Sequence, residues 1–171
     1  MIKSSTAPTV RAALPDLGAA AILGLAIAMS VTAVMLVAEM EHVGALPMPL
    51  GVVFAAHLIG AATLGKQLLL PVGLLLHVGY LVTVTVIAAV VFRRRLGAAA
   101  AFGTAAVLWA LAGVSVVPYV GWGLFGFGLG VGAALNLFII HVLFGVFLWA
   151  GFWVAFRGRS AFTPAPDVTR A

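Results

Sequence analysis

Two histidines lie inside long apolar stretches of this 171-residue chain, His77 in LLLHVGY and His141 in FIIHVLFG. An imidazole surrounded by hydrocarbon is costly to leave alone, so it either bonds across a helix interface or does chemistry. A pair on neighbouring helices is the layout that grips a haem iron or another tetrapyrrole. Gly73 stands four residues before His77, and Gly145 four after His141. On a helix these fall on the histidine face and leave room for a close neighbour or a flat cofactor. Lys66, near the far end of the same stretch, is placed to meet a haem propionate. Two readings stand: each imidazole bonds a backbone carbonyl, serine or threonine across a helix interface, or haem b or a divalent metal is held by His77 and His141 with Gly73, Gly145 and Lys66 around it.

A second group is Glu39, His42 and His57. Glu39 and His42 share a helix face, and carboxylate plus imidazole suits zinc, copper or iron. The leading reading is a solvated helix end whose acids simply face water, with His57 a polar residue on an interfacial helix; the metal site is the alternative. Glu-x-x-His is half of a carboxylate di-iron motif, but that site needs a second copy and two more glutamates. The remaining acids are only Glu41, Asp16 and Asp167, so a di-iron oxidase is excluded.

The elements that must carry these residues are membrane spans. The chain is 64% hydrophobic and 8% charged, with a mean hydropathy of +1.26. Soluble domains run at roughly 25% charged, so a soluble enzyme, a nucleic-acid binder and a disordered tail are excluded for the chain as a whole. A span needs about 20 mainly apolar residues, which selects 17–40, 68–92, 98–120 and 133–156. Residues 1–16 and 158–171 read as cytoplasmic tails around one four-helix domain, 17–157. The stretch 51–65 is short for a span, rising only ~22 Å as a helix, and reads as a re-entrant or interfacial helix.

Lys3, Arg11, Arg93–Arg95, Arg157, Arg159 and Arg170 flank the apolar runs. By the positive-inside rule both termini are cytoplasmic. The net charge of +5 thus reports topology and no nucleic-acid partner. With no cysteine, disulfides, Fe–S clusters and thiolate-ligated haem are excluded.

At an offset of 64 residues, His77-Val78 aligns with His141-Val142, Phe92 with Phe156, Arg93 with Arg157 and Arg95 with Arg159. This predicts a duplicated helical hairpin, 17–95 and 98–159, with a pseudo-two-fold axis along the membrane normal. Both histidines stand sixteen residues from their arginines, ~24 Å along a helix and so at equal depth. Trp122, Phe125 and Phe127, in the glycine-rich run 121–132, fit an interfacial aromatic belt, as do Trp149 and Trp153 at the other face. Pro71 reads as a first-turn proline and Pro118 as a helix end. Ser115, with Thr83 and Thr85, could line a polar path or simply bond its own backbone.

Trp109, Pro118, Gly121, Gly123 and Gly126, followed by His141, Phe144 and Gly145, resemble the pattern of a family of small prokaryotic four-helix membrane proteins. Those proteins carry an intramembrane His-x-x-Tyr/Phe-Gly in the last span. The family has no assigned activity, so the resemblance implies the topology and adds no mechanism. It covers the C-terminal half closely and the N-terminal half loosely.

Three functions fit these residues. The leading expectation is a non-catalytic integral membrane subunit or scaffold in a prokaryotic cytoplasmic membrane. It would pack a partner protein or a second copy through faces such as Gly97–Gly103 and Gly145–Gly151. The alternative is a tetrapyrrole- or metal-binding redox component using His77 and His141. A small-solute or proton pathway ranks third, because transporters usually show broken helices and more polar groups. No paired carboxylates or nucleophilic triad point to an enzyme.

Overall fold

The computed structural model describes residues 10–41, 45–93 and 95–156. Every regular element among them is helical: α1 (Val10–Met40), α2 (Leu50–Ala55), α3 (Ala61–Val91), α4 (Ala98–Leu111), α5 (Val117–Tyr119) and α6 (Val131–Phe156). Wide π-helical turns join α2 to α3 (Ala56–Gly60) and α4 to α5 (Ala112–Val116), and a 3-10 turn covers Leu124–Leu129. Four stretches are long and apolar enough to cross a membrane: Leu17–Met40, Leu50–Val91, Ala98–Tyr119 and Val131–Phe156. This is an integral membrane protein.

α1 pairs closely with α3, and α4 with α6, while α1 also touches α6. Small residues set these approaches, as expected where packing rather than hydrophobicity drives association. A Cβ on Gly24 would lie 2.9 Å from Val82 Cα, and one on Gly145 would lie 2.9 Å from the Phe102 ring. Ala28, Ala88, Ala101 and Ala105 then meet Phe144, Leu148, Phe152 and Phe156 in one buried core. That core occupies the end of the bundle nearest Arg93 and Arg95, both exposed. The two pairs are antiparallel hairpins, but their connections differ. Residues 41–65 contain a helix, whereas 120–130 form a compact turn.

The connection ahead of α3 breaks twice, at Gly60 (φ 98°, ψ 124°) and Gly65 (φ 67°, ψ 164°). Both are conformations that glycine adopts without steric cost. The breaks turn α2 back onto α3, so that Gly51 and Gly73 meet. A Cβ on Gly73 would lie 2.6 Å from Val52 Cα. On its other side α2 buries Val53 with Val117, Val120, Trp122 and Leu137. The short segment is thus a wedge between α3 and the opposite pair. Regular helix resumes directly after Gly65, so Pro71 lies in the second turn rather than the first.

Two further expectations change. Trp122 is buried, and Phe125 packs on Trp109 with ring centroids 4.7 Å apart, so neither joins a surface belt. The turn is folded inward by its own backbone bonds, including Gly128 N–H to the Trp122 carbonyl at 2.9 Å. Phe127, Trp149 and Trp153 do face outward. Pro118 falls one residue short of the helix end, and the wide turn 112–116 lies just before it, where its missing N–H interrupts the regular ladder.

Candidate functional site

The wedge leaves a cavity. α3 and α4 barely touch, and between them opens a space of about 500 Å³. Ligand pockets commonly enclose ~300–1,000 Å³. His77 and Tyr80 line it from α3, His141 and Phe144 from α6, and Leu111 and Ser115 from the α4 side. Its wall is otherwise apolar, and no charged side chain lines it. Tyr80 and Leu111 line the cavity yet are 45% and 56% exposed. The space is therefore a cleft, open sideways between α3 and α4 toward the surroundings of the bundle.

The two imidazoles thus converge on one space, but they are held differently. His141 Nδ1 lies 2.7 Å from the Leu137 carbonyl oxygen. A carbonyl only accepts, so Nδ1 carries the proton, and the neutral ring keeps its lone pair on Nε2. That is the usual state of a metal-binding histidine, whose other N–H is donated to a backbone carbonyl. His57 makes the same bond, to the Val53 carbonyl at 2.9 Å, but at an exposed position. The bond alone therefore does not mark a site; the cavity does. His77 Nε2 is buried with no hydrogen-bond partner.

The surrounding residues fall elsewhere. Gly73 is filled by Val52 of α2, and Gly145 by Phe102 and Ala105 of α4. Both glycines serve helix packing, and neither is among the residues of the large cavity's wall. Lys66 is exposed and does not line it either. Of the second group, Glu39 and His57 are exposed, and His42 lies outside the described residues. No cluster of three or more His, Cys, Asp or Glu side chains suited to a metal ion occurs among the described residues.

Ser115 lines the cleft, with its hydroxyl donated to the Leu111 carbonyl at 2.5 Å. Thr83 and Thr85 do not line it and bond their own helix. Two contributors escape a reading of the sequence. Tyr80 is one turn beyond His77 and could have been placed on its face by that spacing. Thr32, in α1, is buried with an unpartnered hydroxyl, and its hydroxyl among apolar neighbours was its only signal.

Comparison with known proteins returns no matching family model, no matching curated protein and no matching solved structure.

Proposed function

We propose that this chain is a haem-binding membrane protein whose cofactor occupies the cleft between α3, α4 and α6. The observation that carries the reading is that His77 and His141, from different helices, line one apolar cavity of about 500 Å³. His141 offers an unprotonated Nε2, and His77 has a buried nitrogen without a partner. An iron porphyrin needs an apolar slot for its macrocycle and at least one imidazole for its metal. The wall supplies both. When bound, haem supplies one-electron chemistry. The chain's own residues would position it and keep water from it, and the Leu137 carbonyl would raise the basicity of His141 Nε2.

In the same reading both termini lie in the cytoplasm of a prokaryote, because in the sequence Lys3, Arg11, Arg93–Arg95, Arg157, Arg159 and Arg170 flank the apolar stretches on the side that four spans give to both termini. The repeated His-Val and Phe-Arg-x-Arg marks the two hairpins as copies of one unit. We rank haem binding ahead of the scaffold expectation because both histidines line one cavity. Likeness to small four-helix proteins with an intramembrane His-x-x-Tyr/Phe-Gly belongs to this proposal too, resting on His141, Phe144 and Gly145.

The test is an absorption spectrum of the chain purified in mild detergent from haem-replete cells, oxidised and then dithionite-reduced. The expected result is a Soret band that shifts on reduction and is absent from His141→Ala. A featureless spectrum discards haem and returns the chain to the class of membrane subunits.

A further inference from the structure

Five hydroxyls on the helices follow one habit. Ser30, Thr83, Thr85, Thr104 and Ser115 each donate to the carbonyl four residues before. This is the usual way a hydroxyl is satisfied in an apolar helix. Thr32 departs from it. Its Oγ1 is buried without a partner, although the Ala28 carbonyl stands at the same spacing. His77 Nε2 is orphaned in the same way.

Both residues line a second, smaller cavity, whose wall also holds Pro49, Gly51 and Val52 of the wedge and Gly73. Its volume is about 20 Å³. A water needs ~10–15 Å³ by this measure and at least two polar partners. The small cavity meets the first condition, and two residues of its wall, Thr32 and His77, each carry an orphaned polar atom to meet the second. Burying both groups unpaired would cost ~1–3 kcal/mol each. One shared water removes most of that cost.

We propose that a water held between the Thr32 hydroxyl and His77 Nε2 makes the two histidines unequal: His141 ligates the haem iron, and His77 stands beside the cofactor as a polar group that does not ligate it. The proposal rests on the haem reading and gives each histidine its role. His141 is prepared as a base facing the large cavity, whereas His77 has its Nε2 committed to Thr32 and the wedge. An iron held by His141 alone would still accept a small neutral ligand, for which carbon monoxide is the probe. Thr32 acts through His77 and is a positioning residue.

The full chain in detergent, loaded with haemin and reduced, decides the matter. The expected spectrum is high-spin and five-coordinate, and it converts to a low-spin form on adding carbon monoxide. His77→Ala keeps the Soret band, while His141→Ala loses it and recovers it when free imidazole is added. Thr32→Val changes carbon monoxide affinity about two- to tenfold, the worth of one neutral hydrogen bond, and Thr32→Ser restores it. A low-spin six-coordinate spectrum that becomes high-spin in His77→Ala means both histidines ligate, which overturns the proposal and leaves haem binding intact. No Soret band at all overturns both.

The water is tested separately on the haem-free chain by nitrogen NMR of labelled histidine. A hydrogen-bonded His77 Nε2 signal that shifts in Thr32→Val and stays in Thr32→Ser supports the bridge. An Nε2 signal indifferent to Thr32 overturns it. Size-exclusion profiles of every variant separate these outcomes from misfolding.

Discussion

The two ends of this bundle solve the same packing problem in opposite ways. Toward Arg93, alanines on α1, α3 and α4 let the helices close in, and the aromatic rings of α6 fill what is left. Phe152 and Leu148 have no exposed surface there. Toward the other end, at the level of the histidines, α2 is inserted between the pairs and the helices part around an open cleft. The chain has the small residues to close a bundle and uses them at one end only. The cleft is therefore built by an inserted element and is not a residue of poor packing.

Four substitutions sharpen or break that contrast. Phe152→Ala, in the closed end, should cost on the order of 3 kcal/mol, as for other buried aromatic truncations. Thermal unfolding in detergent reads it, and an unchanged midpoint would mean that the closed end is not the stabilising one. Gly73→Val forces a branched side chain against Val52 Cα and should drive α2 off α3. Overpacking of this kind costs ~1–3 kcal/mol, and here it should also loosen both cavities, seen as lost haem uptake.

Ala112→Phe fills the cleft from the α4 side. It should abolish haem uptake while leaving stability within ~1 kcal/mol, because the new ring enters empty space. If uptake survives, the cofactor lies elsewhere. Leu111→Ala, on the open rim, should move the unfolding midpoint by the equivalent of no more than ~0.5 kcal/mol. A loss like that of Phe152→Ala would show that α3 and α4 close together in the membrane.

Much of the fold is legible in the residues. Four apolar stretches, with their lengths, give the number of crossing helices, and the regular rise of a helix puts both histidines sixteen residues from their arginines. The site was only half legible. His77 and His141 declare themselves by being polar where everything around them is not. Gly73 and Gly145 do mark the histidine faces, but glycine in a membrane helix signals close approach without naming what approaches. Here it is α2 and α4, not a cofactor. The aromatic residues of 121–130 misled for a similar reason. Composition sets an affinity for the interface, whereas the burial of Trp122 depends on backbone bonds within the turn and on α2 lying beneath it.

The sequence by itself determined the membrane class, the helical spans and the spacing of the histidines along them, because hydropathy and helical rise are local properties. Only the tertiary structure decided that both histidines face one cleft, that Lys66 stands apart from it, and that Thr32 shares a small cavity with His77. Those facts follow from two sharp glycine turns that fold α2 back between the helix pairs, and such an insertion joins residues far apart in the chain.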